Sequence, residues 1–180
     1  GCLAPLLIGT AVGTFFTGSD FLVNKNAVGD IGAPVISRWA NEWHGLEAVA
    51  NHFNVEFGLM VMFLAVCLGA LYMINNIDDN DLRDNLRRNL MICFGGFLLM
   101  LVLVLVQFIT MEGFAVDADG VVVMEKGKYF HNLIQMPVVL TMFLLGAILL
   151  VAGVVMTLIR KEFNRGIWIT GPGTVLAVMA

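Results

Sequence analysis

The sequence predicts an all-α, polytopic transmembrane helix bundle with up-down topology, three full spans and two truncated terminal spans. Three observations carry this. Of 180 residues, 59% are hydrophobic and only 13% charged, whereas a soluble domain holds about 45–50% apolar and about 25% charged residues. Three stretches reach the roughly 20 apolar residues that a helix needs to cross a hydrocarbon core. The basic residues gather beside those stretches and not within them. A net charge of −4 gives no basic footprint, so nucleic acid is excluded as an expected partner and membrane lipid takes its place.

In chain order, residues 1–16 form a first apolar piece too short to cross comfortably. Gly9 and Gly13 there fit the small-residue spacing that lets helices approach closely. Residues 17–36, rich in Gly and Asn and containing Pro34, are expected to be irregular. Trp39, Trp43, Leu46, Val49 and Ala50 make an apolar stripe, which predicts an interfacial helix over 39–51 with its Trp rings at headgroup depth. Residues 17–52 thus read as one external loop. Residues 53–75 are the first full span, with Glu56 as their only charge.

Residues 78–89 carry Asp79/Arg83 and Asp84/Arg88 at i,i+4 with the acid first, the favourable order on a helix. They predict a short surface helix or an extension of a span. Residues 90–111 form the second full span, without charge. Residues 112–132 read as an external hairpin loop, because Asp119-Gly120 is a turn signal and Val121, Val122 and Val123 are β-branched. Residues 133–159 are the third full span, uncharged, with Pro137 in the first turn, where proline is tolerated. Gly146 and Gly153 share one face and read as packing positions. Residues 167–180 are a last short apolar piece, which Gly171-Pro172-Gly173 is expected to kink or interrupt.

Both terminal pieces run into a chain end, and the simplest expectation is a single membrane domain over 1–180 that is an internal fragment of a longer subunit. No basic n-region precedes the apolar start, so no secretory signal peptide is expected. Cys2, Cys67 and Cys93 lack metal-type spacing and are expected to act as small buried hydrophobes. In an up-down bundle, Arg83, Arg87, Arg88, Arg160, Lys161 and Arg165 share one side. Lys25, Arg38, Lys126 and Lys128 share the other. Six against four, with Arg87, Arg88, Arg160 and Lys161 directly abutting their spans, makes the first side the cytoplasmic one.

Few residues are candidates for chemistry. His44, Glu47, Asn51 and His52 cluster before the first full span. His44 and Glu47 are i,i+3 and would meet on one helical face, but a metal centre wants more ligands of fixed geometry. The expected role is the polar face of an interfacial helix, and no metal is expected. Glu56 lies about one turn into a span, where an ionisable group is a functional candidate by default. Gln107, Thr110, Glu112 and Gln135 are expected to bond between helices or line a polar cleft. Haem would need an axial ligand facing into the bundle. All three His lie at or outside span ends, so no haem site is expected in this chain, and no catalytic residue is assigned.

The segments APLLIGTAVGTFFTGS at 4–19, WANEWHGLEAVANHFN at 39–54 and LGALYMINNIDD at 68–79 resemble subunit II of cytochrome bd quinol oxidase. So do GFAV at 113–116 and KYFHNLIQMPV at 128–138. The resemblance covers nearly the whole chain, and the order and spacing of the segments make it specific. It implies a multi-pass subunit of a respiratory terminal oxidase in the bacterial inner membrane. That complex oxidises quinol and reduces dioxygen to water, so the chain would belong to an oxidoreductase without holding a complete active site. Haems b and d are implied for the partner, subunit I. Subunit II supports it, and in some members helps form a proton pathway or holds a structural quinone. The acidic and His residues associated with proton uptake lie in N-terminal helices outside this sequence, so His44, Glu47 and Glu56 remain local candidates only. The competing reading is a secondary transporter or channel fragment. It would need an inverted repeat, and none is convincing here.

Overall fold

The structure is a computed structural model and describes residues 1–23, 37–116, 120–160 and 162–180. Lys25, Pro34, Asp119 and Lys161, and with them most of the expected irregular segment and half of the turn signal, lie outside the described residues.

Among the described residues, six α-helices carry the fold. Helix α1 spans Leu3–Thr17. The strands β1 (Phe21–Val23) and β2 (Ser37–Trp39) follow and pair antiparallel, and a 3-10 helix covers Leu46–Ala50. Helix α2 (His52–Asn76) opens where the Asn51 side chain accepts from the Phe53 N–H, the usual way an N-cap satisfies a free donor. Helix α3 (Asn80–Thr110) is capped alike by Asp79, which accepts from the Leu82 N–H. At 31 residues it is about 46 Å long at 1.5 Å per residue. Its charged first turns therefore project beyond the hydrocarbon and extend the span, one of the two outcomes expected for 78–89. Strands β3 (Glu112–Val116) and β4 (Val122–Lys126) form a ribbon. Helices α4 (Lys128–Gln135), α5 (Pro137–Ile159) and α6 (Ile167–Met179) complete the chain. By length and composition, α2, α3 and α5 can cross a membrane, and α1 and α6 are shorter apolar helices.

Four expectations need correction. The helix expected over 39–51 is only the 3-10 turn Leu46–Ala50, because His44 (φ 49) and Gly45 (φ 98) adopt left-handed backbone that no helix continues through. The third span begins at Pro137 and not at 133. Met136, held out of the α region by the proline after it, separates α5 from α4. Gly171-Pro172-Gly173 does not interrupt α6. Pro172 is close to the helix start, so the one hydrogen bond it forfeits is to the Trp168 carbonyl in the first turn. Cys67 is buried and Cys93 half-buried, but Cys2 is exposed where it precedes α1.

The helices pack in pairs through small residues. A Cβ on Gly9 of α1 would stand 2.8 Å from the Gly58 Cα of α2. One on Gly173 of α6 would stand 2.6 Å from the Leu150 backbone nitrogen of α5. The pair α5–α6 meets α2 and α3 through a core of Cys67, Leu71, Ile74, Leu90, Phe94 and Val154. All six lie toward one end of the bundle. At that end Arg87 of α3 donates to Asn164 between α5 and α6 at 2.7 Å, so the two arginine-bearing connections are neighbours in space. At the opposite end, Phe16, Phe53, Phe57, Phe108 and Tyr129 form a ring cluster that ties α1, α2, α3 and α4 together.

Candidate functional site

Helices α2 and α3 run antiparallel, so a residue one turn into α2 and one a turn before the end of α3 reach the same depth. Glu56 and Gln107 occupy those places. The Gln107 Nε2 donates to the Glu56 Oε2, and both side chains are half-buried. A carboxylate at this depth is costly without a partner. The amide supplies one, bonding across helices as expected for Gln107. Phe57 and Phe108, next in sequence to the pair, both pack against Phe16, so an aromatic wall accompanies the polar contact.

Close by, Asn54 is 1% exposed. Its Oδ1 accepts from the Thr17 hydroxyl at 3.0 Å, and its Nδ2 donates to the Ala48 carbonyl at 3.1 Å. One amide thus fastens α1 and the 3-10 turn to α2. A Cβ on Gly13 would come within 2.7 Å of that Oδ1, so the small residue at 13 is what admits the amide.

The other candidates are dispersed. The His44 ring is exposed and stands edge-on to Trp39 at 6.5 Å. Glu47 turns back on its own loop, where its Oε2 accepts from the Gly45 N–H at 2.9 Å. Its Oε1 is buried without a partner among the described residues. His52 is exposed at the start of α2. The structure therefore gives His44 and Glu47 different surroundings and no shared helical face. Thr110 bonds back into its own helix, Glu112 lies 4.0 Å from Lys126, and Gln135 bonds to His131 within α4.

That last contact belongs to a short polar chain. Lys128 donates to the Glu125 Oε2 at 2.7 Å, and the His131 Nδ1 lies 3.2 Å from the Oε1. The Lys128 hydrogen bond, followed by that of His131, holds the Glu125 carboxyl below the usual carboxylate range. The chain fastens β4 to α4.

Among the described residues no three His, Cys, Asp or Glu converge to hold a metal. A haem would need an axial side chain inside the bundle, whereas His44, His52 and His131 are all exposed at its ends. These histidines do not fit a haem, and no step through one is assigned to this chain.

The sequence singled out both Glu56 and Gln107 but not their pairing, and Asn54 was missed. A polar amide beside an apolar run was the available signal for Asn54. A profile of the family described as cytochrome bd terminal oxidase subunit II matches residues 1–180. No curated protein matches the chain.

Proposed function

The chain belongs to the cytochrome bd terminal oxidase subunit II family, and we propose that it acts as the non-haem subunit of a respiratory quinol oxidase. It braces the haem-bearing subunit I and carries a proton relay at Glu56. Membership of the family makes it a subunit of a respiratory terminal oxidase, an oxidoreductase, and the three apolar helices make it a multi-pass membrane protein. The remainder is our reading, including a bacterial inner membrane with the arginine end toward the cytoplasm.

One observation carries the relay. Glu56 is the only charged residue in the apolar run of α2, and its carboxylate is met by an amide and not by a cation. An amide, unlike a cation, leaves the carboxyl group without a fixed counter-charge, which suits a relay position within a span. The orientation puts Glu56 on the outward side. Oxidation of one quinol to quinone releases two electrons and two protons, and a carboxylate on that side suits proton discharge outward. Haem held by the partner subunit would supply the electron path to dioxygen.

The test is Glu56→Gln in the complete oxidase. The expected result is a normal haem spectrum with oxygen consumption lowered by at least about tenfold, since a proton relay is removed and the fold retained. Undiminished turnover with a normal spectrum would leave only the bracing role.

A further inference from the structure

The ribbon β3–β4 has two unlike faces. Pairing sets Phe114 opposite Met124 and Val116 opposite Val122, and the period of two puts all four on one side. They are exposed by 76, 56, 72 and 63% respectively. The other side carries Gly113, Ala115, Val123 and Glu125. Gly113 is buried, and a Cβ there would stand 2.9 Å from the Lys128 Cβ of α4. The Gly113 end of the inner face is thus packed on α4, and beyond the Glu112–Lys126 pair the outer face presents four adjoining exposed apolar side chains.

The ribbon is also held at the level where the spans leave the membrane. Met111 alone separates α3 from β3, and the Gly127 N–H donates to the Met111 carbonyl at 3.1 Å, which closes the ribbon's base. Met136 alone separates α4 from α5. Helix α4 exposes Phe130 and Ile134 at i,i+4, and Val138 at the start of α5 is 69% exposed. Apolar surface therefore recurs on the ribbon and α4 beside the spans, with the Glu112–Lys126 pair at the junction.

We propose that the outer face of β3–β4 lies in the lipid headgroup–acyl boundary, as a membrane-resting flap that extends the lipid contact of α3 and α5. Four adjoining large apolar side chains held in water would be an aggregation surface. The tethers at Met111 and Met136 keep the face within reach of lipid. The Glu112–Lys126 pair, at the ribbon's base and on the same face, supplies charge where headgroups do.

The experiment uses the complete oxidase in lipid nanodiscs, with Cys2→Ser, Cys67→Ala and Cys93→Ala, and a nitroxide attached at Val122→Cys or, separately, Val116→Cys. Val106→Cys on the exposed side of α3 is the lipid reference and Asn41→Cys the aqueous one. The expected result at both ribbon sites is greater collision with dissolved oxygen than with a water-soluble nickel complex, as at Val106. Greater collision with nickel, as at Asn41, overturns the proposal in favour of a solvated ribbon. Protection from both quenchers overturns it in favour of a protein partner covering the face.

Discussion

At the scale of single residues, energy is concentrated where a polar group sits in an apolar run. Gln107→Leu removes the donor that Glu56 accepts from and strands a carboxylate in a low-dielectric site. The expected outcome is a loss of about 1–3 kcal/mol, read as a lower melting temperature of the solubilised complex. The charge-neutral double variant Glu56→Gln, Gln107→Leu should recover part of that loss. Asn54→Ala breaks both the Thr17 and Ala48 links, and the expected cost is again about 1–3 kcal/mol. Limited proteolysis between α1 and α2 should then accelerate. The Glu125 chain predicts a pH response. Its carboxyl titrates lower in the folded state than in the unfolded one, so its contribution is complete above the ordinary carboxylate range. It disappears as pH falls through the lowered folded value. Hydrogen exchange over 122–135 should rise in that acid window, and Lys128→Met should move the onset to higher pH. The sequence showed Glu56 because a lone charge in a span is conspicuous. It hid the pairing with Gln107, because residues 51 apart in the chain meet only through the antiparallel packing of two helices.

At the scale of elements, length and hydropathy were enough for α2, α3 and the short apolar helices α1 and α6, since a helix satisfies its own backbone groups in lipid, but not for α4, whose residues read as loop and span. They failed where one backbone angle decided the matter. The stripe over 39–51 has helical spacing, yet left-handed conformers at His44 and Gly45 divide it. The run over 133–159 looks continuous in hydropathy, yet the proline at 137 excludes its predecessor from the helix. Pair packing was partly legible in Gly9, Gly13, Gly146 and Gly153. What no spacing reveals is how close the partner comes. A Cβ on Gly146 would stand 2.5 Å from the Ala177 backbone nitrogen. Gly146→Val should therefore force α5 and α6 apart and reduce recovery of assembled oxidase, measured as haem per protein after solubilisation. Gly171→Ala should not, because no atom lies within 4 Å of the Cβ it would add.

For the molecule as a whole, the two helix groups share one core, and Leu71 sits in its middle. It is fully buried, and its Cδ2 would lie 3.2 Å from a Cβ on Gly166 at the start of α6. Leu71→Ala should cost about 2–5 kcal/mol. Leu103→Ala, on an exposed face of α3, should cost well under half as much in the same thermal assay. The overall class followed from composition and the length of the apolar stretches, whereas the end of the bundle at which the groups join did not, because hydropathy does not say where along its length a span meets its neighbours. The tie between Arg87 and Asn164 has a mechanical consequence. It opposes sliding of the two groups past one another along the membrane normal. In a bilayer thinner or thicker than its own, the tie favours answering mismatch by leaning as one piece over separate adjustment of helix heights.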